Sequence, residues 1–352
     1  YYAPNPLNDL FSFSISVEAG TEENDALGLA TALLQKSGTG DMSAEELQKE
    51  WYRLGSEFGV GAGANESTLA ISGLDEQFGA SLALMLNVVR NPSVDEATLE
   101  ELKSIILKSR EDQKQDPRAI SQALFLYNRY GDDSPMLTSL TSEQIKAATV
   151  AELEELVGDL LKYKHTLSYT GSMPLEELLT RLHALYEVPE QLMDTPPYRF
   201  RTAREIDSNQ IYVVDQTTAQ AQVRIEFPDG EFDESLTVPS SLYNTYFGTS
   251  MSSVVFQELR EARALAYSAQ AQYAQGSRTG AENLGLGAIS SQNDKTVEAL
   301  DAFLDLFENM PVSGERFEEA KSSLVNRYRT STIGFREVTG TVRSWERLGI
   351  SG

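Results

Sequence analysis

Cysteine is absent from this 352-residue chain, and histidine occurs only twice, at His165 and His183. Without thiols there are no disulfides and no thiolate metal sites. Two histidines far apart in sequence, one in an expected strand and one in an expected helix, cannot supply the clustered imidazoles that catalytic zinc requires. Positive charge is also scarce: 29 Lys and Arg stand against 53 Asp and Glu, a formal net charge of −24. That balance argues against binding nucleic acid or anionic lipid, both of which need basic patches. It keeps the surface soluble and favours basic over acidic partners at long range. No apolar run approaches the roughly 18 residues of a membrane span. The chain opens on Tyr1, with no basic and then apolar leader behind it. The expectation is therefore a piece of a longer chain, in a compartment the sequence leaves open.

What is present is an ordinary globular composition, 41% hydrophobic and 23% charged, over a length that exceeds one compact core. The chain repeats itself. "FSFSISVEAG" (Phe11 to Gly20) and "AQVRIEFPDG" (Ala221 to Gly230) each alternate apolar residues on one face, as a half-buried strand does. Helical stretches follow and meet a Gly-Thr turn, at Gly38-Thr39 and at Gly248-Thr249. Ser67 to Val89 then reads as a strand and a helix with Phe78, Leu82, Met85, Leu86 and Val89 inward. Leu284 to Phe307 repeats that plan, with Val297, Leu300, Leu304 and Phe307 as the expected inward face.

The clearest match sets "TLEELKSIILKSRE" (Thr98 to Glu111) against "RFEEAKSSLVNRYR" (Arg316 to Arg329), about 218 residues later; both helices start soon after a proline, Pro92 or Pro311. That distance means a duplicated domain and not a solenoid, whose period is about 20 to 50 residues. The predicted fold class is α+β: two homologous domains, each an antiparallel-rich sheet packed with helices. The first covers 1–190, ending in helices and a strand within "KHTLSYTGSMP" (Lys164 to Pro174). A proline-bearing linker covers 191–205, and the second domain covers 206–352. The second copy has no equivalent of residues 135–185 and is expected to be truncated at its C-terminus.

The stretch "YFGTSMSSVVFQELREARALAYSAQAQY" (Tyr246 to Tyr273) has a small-residue turn, a serine-rich helix start, Phe-x-x-x-Arg-Glu and then Leu-x-Tyr-Ser. In this it resembles the pitrilysin/insulinase/mitochondrial-processing-peptidase family of zinc metallopeptidases, and the domain plan extends the resemblance over nearly the whole chain. The resemblance implies half of a clamshell that closes around a peptide. In the zinc-bearing half of that family, a His-x-x-Glu-His helix binds the metal and supplies the general base, and a later Glu is the third ligand. Aligned on the Gly-Thr turn of "LATALLQKSGTGDMS", the motif falls on Leu29-Ala30-Thr31-Ala32-Leu33, and the third ligand on or beside Lys108. Leu29, Leu33 and Lys108 cannot ligate zinc there, and Ala32 cannot polarise water. No metal is therefore expected in this chain, and zinc is expected in a catalytic half, part of the same longer chain or of a partner subunit.

The resemblance further implies that the half without zinc offers the peptide substrate an Arg and, seven residues on, a Tyr. Arg260 and Tyr267 have that spacing. A guanidinium forks toward peptide carbonyls, and a phenol can donate to a developing oxyanion. The plainer alternative pairs Arg260 with Glu258 or Glu261 on a helix surface and packs Tyr267 in a strand. Ala266 to Tyr273 reads as an edge strand; the resemblance implies that extended substrate adds to such an edge, chiefly in the zinc-bearing domain. Ser252 and Ser253 read as helix caps and not nucleophiles, and "SGTG" (Ser37 to Gly40) lacks the Gly-Lys-Ser/Thr of a phosphate loop. Two other functions stay open: an inactive scaffolding homologue, and a metallopeptidase with unrecognised ligands such as Asp132/Asp133 or Glu45/Glu46. Carboxylate pairs of that kind suit Mg²⁺ or Ca²⁺ better than hydrolytic zinc.

Overall fold

The computed structural model describes residues 1–205 and 207–350, so the expected domain limits at 206 and 352 fall outside the described residues. Its strands, in chain order, are β1 (Tyr2–Pro4), β2 (Leu10–Val17), β3 (Gly38–Thr39), β4 (Glu57–Ala62), β5 (Ser67–Leu74), β6 (Pro92–Ser93), β7 (Thr166–Gly171), β8 (Gln220–Glu231), β9 (Ser268–Ala274) and β10 (Glu282–Gln292). The class is α+β, with open sheets backed by helices. No helix among the described residues is long and apolar enough to cross a membrane.

Two compact units form, and no single cut in the chain separates them. One contains Tyr1–Asp112, Thr138–Phe200 and Ile333–Thr341; the other contains Gln113–Leu137, Arg201–Thr332 and Val342–Gly352. The sequence division at 191–205 therefore differs from the contacts over 113–137. The helix Pro117–Tyr130 buries no residue fully, and its Arg129 and Gln122 bond instead to Glu226 and Arg224 of β8.

The first unit holds a five-stranded sheet ordered β1-β7-β2-β5-β4, antiparallel except for the β1–β7 pair. Period-two alternation sends Phe11, Phe13, Ile15 and Val17 of β2 inward and its serines to the other face. Phe78, at the start of the helix Phe78–Arg90, meets Phe11, Phe13 and Tyr169 edge-on at ring centroids of 5.2, 5.6 and 5.5 Å. The expected inward residues of this helix, Phe78, Leu82, Met85, Leu86 and Val89, are all buried. Buried Asp75 accepts from the Tyr169 hydroxyl at 2.6 Å and from the Ser172 N–H at 2.8 Å, which fixes the end of β7.

The second unit holds a three-stranded antiparallel sheet ordered β8-β10-β9. Its strands repeat the chain order and the neighbours of β2, β4 and β5. One face differs from its prediction. On the helix Thr296–Glu308 the buried line is Ala299, Ala302, Phe303 and Leu306; of the expected face Phe307 packs against this core, whereas Val297 is 73% exposed. The glycines of "LGLG" explain the rotation. A Cβ on Gly287 would stand 2.9 Å from the Phe303 ring, so a bare strand backbone admits that ring and the alanines beside it sink with it.

Candidate functional site

The serine-rich start expected before Arg260 is an N-cap. Ser253 Oγ accepts from Phe256 N–H, and Ser252 only exchanges a bond with Ser250 at 3.1 Å. The helix Val254–Phe256 continues into a π-helical turn, Gln257–Ala262, which ends at Arg263. Val254, Val255 and Leu259 are fully buried and hold this segment against the core of the second unit. β9 follows at the sheet edge, and Tyr267 N–H donates to Ser290 C=O of β10 at 2.8 Å.

This geometry brings Arg260 and Tyr267 together. The guanidinium carbon lies 5.0 Å from the Phe256 ring centre and 5.6 Å from that of Tyr267, within cation–π range of both rings. Tyr267 is 69% exposed, so its ring is not packed in a core. The plainer alternative is visible only in weak form. Arg260 Nε stands 3.6 Å from Glu261, too far for a hydrogen bond, and Glu258 faces Arg316 instead. Among the described residues the Arg260 Nη atoms and the Tyr267 hydroxyl make no protein hydrogen bond. Two rings orient the cation while its fork and a phenol face solvent.

The residues aligned with the zinc motif are elsewhere and do other work. Leu29 and Leu33, on the helix Leu27–Leu34, are buried in the hydrophobic core of the first unit, and Ala32 packs against it. Thr31 Oγ1 donates to Leu27 C=O at 2.9 Å. Lys108 is exposed on the helix Glu96–Gln113. These side chains offer no donor set for zinc. Among the described residues no group of three or more His, Cys, Asp or Glu is placed to hold a metal ion.

Both histidines belong to the first unit. His165 Nδ1 meets Tyr163 C=O at 2.6 Å and its Nε2 meets the Tyr186 hydroxyl at 2.8 Å, while His183 lies in the last turn of the helix Leu175–Leu185. Of the acidic residues, Glu45 pairs with Lys49, Glu46 closes the capping box of Ser43, and Asp133 pairs with Arg201. Sequence reasoning missed Lys103, 5% exposed, which donates to Glu100 and to Lys146 C=O and carries no chemistry. The Phe of the Phe-x-x-x-Arg-Glu pattern, Phe256, proves to be the ring beside the Arg260 guanidinium, as its spacing of four residues on a helix allows.

Open sheets backed by helices, with no group of three or more metal-ligating side chains among the described residues, define the class of chain. The chain belongs to the Peptidase M16 inactive domain family, whose model matches residues 146–324. It is 23% identical over 271 residues to an uncharacterized zinc protease of Streptomyces coelicolor, covering 73% of this chain and 58% of that protein. It thus spans a little over half the length of that relative. Among solved structures, the peptidase M16 inactive domain from Pseudomonas fluorescens superposes with a TM-score of 0.78 at 16% identity, covering 99% of this chain and 85% of the other. The periplasmic protease PqqL of Escherichia coli matches with a TM-score of 0.77 at 14% identity, over 97% of this chain but 38% of its own. The ferredoxin protease FusC, solved in complex with Arabidopsis ferredoxin, matches with a TM-score of 0.77 at 14% identity, over 98% of this chain and 39% of its own.

Proposed function

We propose that this chain is the non-catalytic half of a zinc metalloendopeptidase. In this reading its two repeats, divided at 191–205, form part of the wall of a peptide chamber. Arg260 and Tyr267 then reach a peptide held by a zinc-bearing half, in the same longer chain or in a partner subunit. The observation that carries the reading is the pairing of an exposed phenol with a ring-clamped guanidinium whose terminal nitrogens are uncommitted. A peptide carbonyl can accept from the Arg260 fork, and the Tyr267 hydroxyl can donate to the oxygen that gains charge as the carbonyl is attacked. The zinc of the other half would supply the activated water. Such a division of labour is compatible with the 38% and 39% of PqqL and FusC that this chain spans, since those chains have room for a second half.

The test is cleavage of an unstructured peptide by this chain combined with its zinc-bearing half. Tyr267→Phe and Arg260→Ala are each expected to lower kcat/KM by about 100-fold, as loss of an oxyanion donor does. Wild-type kcat/KM in both variants would reject the assignment and leave a scaffolding role.

A further inference from the structure

Among the described residues, Ala264 is the single non-glycine residue with positive φ, +50°. It stands between Arg260 and Tyr267. An L side chain is disfavoured in this left-handed region, where glycine is the usual occupant, and such outliers persist only where their surroundings over-determine them.

The surroundings here do so. Leu259 C=O, at the buried middle of the π-helical turn, accepts from Leu265 N–H at 2.9 Å and from Ala266 N–H at 3.4 Å. Ala264 N–H donates to Arg260 C=O at 3.2 Å, and Leu265 and Ala266 are both buried. The helical run therefore ends at a left-handed corner on one residue. In an uninterrupted helix, residues seven apart would be separated by about 10 Å along the axis. Here the helical run ends at this corner, and beyond it the Tyr267 ring lies 5.6 Å from the Arg260 guanidinium.

We propose that Ala264 is a positioning residue: its left-handed corner presets the Tyr267 hydroxyl beside the Arg260 fork before substrate arrives. This rests on the reading of Arg260 and Tyr267 as substrate contacts. A glycine would accept the same conformation without strain but would also let the corner open, so the methyl group narrows the orientations Tyr267 can take. Asparagine tolerates the left-handed region better than most residues while retaining a side chain.

The experiment uses this chain combined with its zinc-bearing half and the same unstructured peptide. Ala264→Gly is compatible with the fold and is expected to lower kcat three- to tenfold at unchanged KM, with an unfolding temperature no lower than wild type. Ala264→Asn is expected to keep wild-type kcat. Combined with Tyr267→Phe, Ala264→Gly is expected to add no further loss, because the residue it positions is already disabled. Wild-type kcat in Ala264→Gly, or an equal loss with and without Tyr267→Phe, overturns the proposal. If Tyr267→Phe alone leaves kcat intact, the reading of the pair itself fails and takes this one with it. If Tyr267→Phe costs activity and Ala264→Gly costs none, only the corner loses its role.

Discussion

Tyr243 has its ring stacked on Phe247 at 5.1 Å, and its hydroxyl makes no hydrogen bond among the described residues. Burial pushes its pKa up to about 12, because a phenolate loses hydration there that an unfolded chain, titrating near pH 10, retains. The raised folded value sets the sign. The stabilising contribution is fully present below about pH 10 and is lost as pH rises toward 12. Urea midpoints are therefore expected to fall between pH 9 and pH 12, and to fall less in Tyr243→Phe, which removes the ionising group and no hydrogen bond. An equal fall in both proteins would contradict this account. At this scale the sequence was informative where spacing carries the message: Arg260 and Tyr267 stand out because seven residues separate them inside a distinctive stretch. Ala264 did not, because nothing about an alanine signals a left-handed backbone. That conformation is imposed by the buried residues flanking it.

Both Gly-Thr turns were visible as glycines, and the reasons glycine is required turn out to differ. At Gly38 a Cβ would fall 2.8 Å from the Ser43 carbonyl carbon, inside the tight loop that closes on β3. At Gly248 it would fall 2.5 Å from the Ala271 carbonyl carbon, so the π-helical turn Asn244–Gly248 lies directly on β9. Asn244 reinforces that contact, donating to Tyr273 C=O at 2.9 Å and accepting from Tyr273 N–H at 2.7 Å. Gly248→Ala is expected to cost about 1–3 kcal/mol in thermal or urea unfolding, since strand backbone cannot yield as a side chain can. Gly40→Ala, with open space around its Cβ, serves as the control and should stay within about 0.5 kcal/mol. The strands and long helices were readable from apolar periodicity. The π-helical turns were not, because an extra residue in a helix depends on what the helix presses against. The inward face of Thr296–Glu308 is legible only in part, at Phe307 and not at Val297, for a related reason: large residues mark an inward face reliably only when the opposing strand has side chains of its own.

For the molecule as a whole, chain order misleads over residues 113–137. Their repeat-derived place is the first domain, yet Pro117–Tyr130 joins the second unit. No pattern in that helix names its partner, because the decisive contact is a long-range charge pair. Arg129 donates from Nε to Glu226 at 2.7 Å and from Nη2 to the same carboxylate, with the Phe125 ring 4.7 Å from the guanidinium. The side chains of Arg129 and Glu226 are 13% and 5% exposed. A pair so enclosed adds little over a hydrophobic replacement, because both ions lost their hydration on folding, but removing one partner strands the other. Arg129→Met is therefore expected to destabilise the full chain by about 3–5 kcal/mol, and adding Glu226→Leu should recover most of that loss. The same logic governs truncation. A fragment beginning after residue 205 keeps Glu226 in β8 and loses Arg129 with the helix that carries it. Such a fragment should unfold at lower urea than the second unit does in the full chain, and Glu226→Leu should raise its midpoint. If the single Arg129→Met change proves no worse than the double change, Glu226 is reaching water in the folded state. The helix Pro117–Tyr130 would then be a passenger on the second sheet and not one of its supports.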